Sequence, residues 1–71
     1  MKPTSVTNRI GELRQEAGGV SQAELATNVG VTRQTLNAIE RGKYSPSLEV
    51  AFRIARFFDV GLDDVFGYRD D

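Results

Sequence analysis

Arg33, Gln34, Asn37 and Ala38 share one side of a helically spaced stretch whose large apolar residues, Leu36 and Ile39, fall on the other. Side chains of these types can read the edges of base pairs in a major groove. A guanidinium forks onto guanine O6 and N7, a carboxamide pairs with adenine N6 and N7, and a methyl group meets the thymine methyl. Each good pair discriminates against the wrong base by about 1–3 kcal/mol. Thr32 and Thr35 add hydroxyls suited to phosphate or base contact, and Thr32 is equally suited to cap the helix. The plainer reading of each residue is an exposed position on a solvated helix.

Composition removes the main competitors. The chain of 71 residues has no cysteine and no histidine. It therefore offers no disulfide framework, no thiolate or imidazole metal site and no histidine general base. Neither clustered carboxylates in an apolar setting nor a glycine-rich phosphate loop is present, so nothing can be assigned to catalytic roles. We expect no enzyme, no cofactor and no bound metal. Without an apolar run of about 20 residues or a signal-peptide core, the reading is a cytoplasmic protein.

A net charge of −1 argues at first against a polyanion partner, but the charge is unevenly distributed. Residues 1–58 carry eight Lys/Arg against five Glu, for +3, whereas residues 59–71 carry five Asp against Arg69, for −4. An acidic end thus masks a mildly basic body, and it is the local field at a contact face that a polyanion meets.

The polar face needs a scaffold, and the spacing predicts five short helices on one core, with no strand-like alternation anywhere. The first spans residues 7–17, with Val6, Ile10, Leu13 and Ala17 as its stripe and Gly18-Gly19 as its stop. Ser21 to Glu24 reads as a capping box opening a second helix, whose inner face is Leu25, Ala26 and Val29 and which Gly30 ends in a left-handed turn. Thr32 caps the third, running to about Arg41. Pro46 suits the first turn of a fourth helix over about 47–58, with Leu48, Ala51, Phe52, Ile54, Ala55 and Phe58 apolar. Gly61 breaks it. A last helix at about 62–66 is favoured by Asp63 and Asp64 at its positive end, and residues 68–71 read as a frayed tail. Phe57, Leu62 and Phe66 exceed what five small helices need to bury; packing and a homodimer contact both account for them.

The second and third helices with their turn carry the signature of a helix-turn-helix. Ala26 must be small where the two helices cross, Gly30 must permit the turn, and Leu36 and Ile39 must point inward. All four conditions hold. With Ile10-x-x-Leu13-Arg14, Ser21-Gln22-x-x-Leu25-Ala26, Val29-Gly30-Val31-Thr32, Leu36-x-x-Ile39-Glu40-x-Gly42 and Pro46-Ser47-Leu48, the chain resembles the Cro/CI-type (XRE) regulators of bacteria and their phages. The match continues through Ile54-Ala55-x-x-Phe58-x-Val60 and Leu62-Asp63-x-Val65-Phe66, covering about residues 6–67. It implies an all-α, five-helix, lambda-repressor-like domain filling the chain, acting as a homodimer on pseudo-palindromic DNA. Two departures stand out: the second glycine of Gly18-Gly19, and the mild charge.

The resemblance also assigns roles. Gln22 is expected to bond a phosphate and brace the recognition helix, and Arg41, Lys43, Tyr44 and Ser45 to clamp phosphates, contacts that position without reading sequence. Arg14 and Glu40 are expected to form a structural ion pair between the first and third helices. The function implied is a sequence-specific regulator of transcription, read as a repressor acting by occupancy at the nucleoid. An antitoxin or phage-type immunity regulator, and an interaction module that has lost DNA binding, are the alternatives; Arg33, Gln34 and Asn37 speak against the last.

Overall fold

A computed structural model of the chain describes residues 4–70. Its order is β1 (Val6–Asn8), α1 (Ile10–Glu16), α2 (Gln22–Val29), α3 (Arg33–Glu40), α4 (Leu48–Phe58), α5 (Leu62–Val65) and β2 (Phe66–Tyr68). Local chemistry sets the helix boundaries. Ser21, Thr32 and Ser47 each hold an extended backbone while the side-chain hydroxyl accepts from the amide three residues on, in Glu24, Thr35 and Val50. A cap of this kind stabilises a helix by about 1 kcal/mol. At the opposite ends, α1 and α3 close in Schellman turns. In α3, Gly42 donates to the Ile39 carbonyl and Lys43 to that of Ala38, both at 3.0 Å.

Helix α2 lies at the centre, packed against α3 and α4, and α4 packs in turn on α5. The core is Ile10, Leu13, Leu25, Ala26, Val29, Leu36, Ile39, Ile54, Ala55 and Val65. Ala26 is buried where a small side chain is required between α2 and α3. Among the described residues, no helix is long and apolar enough to cross a membrane.

Five expectations need correction. The five helices are joined by a two-stranded antiparallel sheet, in which Val6 faces Tyr68, Thr7 faces Gly67 and Asn8 faces Phe66. Tyr68 is thus paired rather than frayed, and Arg69 still donates to the Ser5 carbonyl at 2.8 Å; Asp71 lies outside the described residues. The same strand delays the first helix, which starts at Ile10 because Thr7 and Asn8 belong to β1 and Arg9 precedes the first turn. Ser47 rather than Pro46 stands at the start of α4, so the proline precedes the cap. Leu48 and Phe52, placed in the apolar set of α4 by spacing, are 66% and 49% exposed. Three-residue strands fall below the length at which alternation can be recognised.

Candidate nucleic-acid interface

The outer surface of α3 is built from the inside. Leu36 and Ile39 are buried, which turns Gln34 outward with Arg33 at the helix start, while Asn37 and Ala38 are half-buried at its margin. Thr32 accepts from the Thr35 amide and its hydroxyl bonds that of Thr35, both at 3.0 Å, so these two hydroxyls first serve the helix start. Arg41 follows the last turn of α3 and is exposed, as are Lys43 and Ser45. Tyr44 is half-buried, its side chain packed on the core. The loop after α3 therefore holds two exposed cations and an exposed hydroxyl on an anchored backbone.

Beneath this surface lies an ion pair. Arg14 of α1 forks onto Glu40 of α3, Nε to Oε2 at 2.9 Å and Nη2 to Oε1 at 3.0 Å. The two side chains are only 19% and 10% exposed, and a bidentate fork in such a site fixes distance and orientation together. The third arm of Arg14, Nη1, donates to the Val20 carbonyl at 3.0 Å. This bond explains how the extra glycine is accommodated. Gly18 and Gly19 both take positive φ, +94° and +88°, and the loop folds back so that Val20 meets Arg14. The first helix keeps its hold on α3.

Glu40 also receives Gln22, whose Nε2 donates to Oε1 at 3.3 Å, and the Gln22 carbonyl accepts from Asn37 Nδ2 at 3.5 Å. A line of contacts thus runs from Arg14 through Glu40 and Gln22 to the outer margin of α3. Gln22 is half-buried at the first residue of α2, on the side of α3 where Asn37 lies.

Two contributors escape sequence reading. Asn8 accepts from the Ile10 amide at 3.0 Å and gives Nδ2 to the Ile39 carbonyl at 3.0 Å, tying the start of α1 to the end of α3. Arg53 of α4 donates Nη1 to the Val29 carbonyl at 3.3 Å, holding the end of α2 just before the turn. Asn8 has a local signal, since asparagine two residues before a helix favours a side-chain-to-backbone turn. Arg53 has none. Of the dimer candidates, Phe57 meets Phe58 edge-on with ring centres 5.0 Å apart, and Phe57, Leu62 and Phe66 all pack partly against the core.

Comparison with known proteins places this geometry. The family described as Helix-turn-helix matches residues 10–65. An HTH-type transcriptional regulator of Methanocaldococcus jannaschii is 56% identical over 52 residues, 73% of this chain and 79% of its own. One from Bacillus subtilis is 45% identical over 64 residues, covering 90% of this chain and 96% of its own. Among solved structures, the restriction-modification controller protein C.AhdI from Aeromonas hydrophila superposes with a TM-score of 0.70 at 31% identity, over 78% of this chain and 82% of that one. These are transcriptional regulators and a restriction-modification controller, not enzymes. With an exposed polar α3 set on α2 across a glycine turn, the chain belongs to the Cro/CI-type (XRE) helix-turn-helix family, whose members are transcriptional regulators that bind double-stranded DNA.

Proposed function

We propose that the chain is a single sequence-specific DNA-binding domain that represses transcription by occupying an operator. The observation that carries this reading is the exposed Arg33 and Gln34, with Asn37 and Ala38 at their margin, on a helix fixed from behind by the Arg14–Glu40 pair. Base contact demands that the reading side chains arrive at a groove already placed, and a bidentate, half-buried fork supplies that placement. Arg33, Gln34 and Asn37 read base edges, Ala38 meets a thymine methyl, and Thr32 and Thr35 lie at the phosphate margin. Gln22, Arg41, Lys43, Tyr44 and Ser45 hold the backbone on either side.

Two copies bind as a homodimer, their recognition helices about 34–36 Å apart on a pseudo-palindrome. The protein acts in the cytoplasm, at the nucleoid. Repression needs nothing beyond occupancy.

The test is a binding titration on duplex DNA from upstream of the protein's own gene, repeated at several salt concentrations. Affinity should fall steeply with salt and favour one site over random duplex. Arg33→Ala should weaken the preferred site by roughly 5-fold or more and leave random duplex little changed, whereas Lys43→Ala should weaken all duplexes alike. Equal, weak binding of every sequence would exclude specific recognition.

A further inference from the structure

A carboxamide is two-faced: it can offer its oxygen or its NH2 in either of two directions, and a recognition-helix asparagine that is free to flip can accept from a base or donate to one. In this chain the direction is imposed from below. The Glu40 carboxylate is acceptor-only, and Arg14 holds both of its oxygens at 2.9 and 3.0 Å. Whatever Gln22 presents to Glu40 Oε1 at 3.3 Å must therefore be Nε2. That choice turns the Gln22 carbonyl toward α3. A carbonyl also has no hydrogen, so Asn37 must face it with Nδ2, at 3.5 Å.

The last link is long and individually weak, but its strength does not decide the orientation. Flipping either amide would set oxygen against oxygen or NH2 against NH2 in a half-buried position, and that alternative is what the ion pair excludes. Asn37 is left with Oδ1 directed away from Gln22.

We propose that Asn37 is a specificity-determining residue locked with its carbonyl toward the groove, so that it accepts a hydrogen bond from the exocyclic amine of adenine or cytosine. In the major groove the donors are adenine N6 and cytosine N4; guanine and thymine present O6 and O4, which would oppose the Asn37 carbonyl. The second hydrogen of Nδ2 remains available beside Oδ1, which suits adenine N7 and favours adenine over cytosine. Gln22, with Glu40 behind it, acts as a positioning residue for this contact. The inference rests on the DNA-reading role proposed above and adds to it the identity of the base class and the polarity that selects it.

The test selects binding sites from a random duplex pool with the wild-type protein, Asn37→Ala and Gln22→Met, the last keeping length but removing both amide functions. The wild type should require adenine or cytosine at one position of each half-site, by about 5-fold or more over guanine or thymine. Asn37→Ala should lose the preference there and nowhere else. Gln22→Met should bind more weakly overall and admit guanine or thymine at that same position, because its Asn37 is free to flip. A merely structural or phosphate-binding Gln22 would lower affinity with the preference intact, and that result would overturn the relay. Nuclear magnetic resonance of the free protein supplies a readout that needs no DNA: Gln22→Met should shift the Asn37 side-chain NH2 signals, and unchanged signals would also overturn it. A wild-type selection without any consensus would instead sink the DNA-reading role itself.

Discussion

Arg14 contributes to this interface without reaching its surface. Three of its nitrogens are used, two on Glu40 and one on the Val20 carbonyl, so the side chain joins α1, α3 and the double-glycine loop at once. Replacing one member of such a pair leaves the other charge poorly solvated and loses the packing that the pair organised. Arg14→Ala and Glu40→Ala should each cost about 2 kcal/mol in chemical unfolding, below the range for fully buried pairs because both side chains keep some contact with water. The double replacement Arg14→Ala with Glu40→Ala should cost clearly less than the sum of the two single changes. Additive losses would show that the pair is not coupled. At this scale the sequence was legible where the chemistry is local. The hydroxyl caps at Ser21, Thr32 and Ser47 each act on an amide three residues away. Asn8 was not legible in the same way, because its Nδ2 acts on a carbonyl 31 residues along the chain.

The elements show how unequal the glycines are. Gly30 ends α2 at φ +82°, and a Cβ built there would stand 3.0 Å from Arg53 Nη1, the group that holds the Val29 carbonyl. Gly11 lies in α1 without a left-handed backbone, and a Cβ there would meet Glu40 Oε1 at an ordinary 3.8 Å. Alanine should therefore act in opposite directions. Gly30→Ala should lower stability by about 1–2 kcal/mol, from strain and the displaced arginine. Gly11→Ala should raise it by about 0.5–1 kcal/mol through reduced backbone freedom in the unfolded chain. Thermal unfolding resolves both, since 1 kcal/mol moves the midpoint by roughly 4–8 °C in a domain of this size. Like signs for the two changes would refute the distinction. The turn at Gly30 was readable because only glycine takes that conformation freely. The stop of α4 is less so: the helix ends at Phe58, as its spacing predicts, but Asp59 at φ 57° takes the left-handed position rather than Gly61. Aspartate tolerates that region but does not announce it.

For the whole molecule, the sheet that joins β1 to β2 brings residues near both ends of the chain together and shapes the surface next to them. A groove of about 320 Å³ is lined by Val6, Ser45, Pro46, Leu48, Ala51, Leu62 and Phe66, with Leu48 standing 66% exposed at its edge. Two of the proposed dimer contacts, Leu62 and Phe66, are in this groove, and the third, Phe57, lines a separate hollow with Phe52. Periodicity could name these residues as surplus to a small core. It could not divide them between surfaces, because that depends on how α4, α5 and β2 meet. The division yields a test of the homodimer. Leu48→Glu places a charge on an exposed position, so monomer stability should stay within about 0.5 kcal/mol, as surface changes usually do. If a second copy packs on the groove, burial of that charge should raise the dimer dissociation constant by 10-fold or more in sedimentation equilibrium. Phe57→Ala should behave in the opposite manner, since its ring lies edge-on to Phe58 within the same chain: about 1–3 kcal/mol of monomer stability lost, with less effect on association. A dimer that ignores Leu48→Glu would assign self-association to a different surface and leave the groove free of that role.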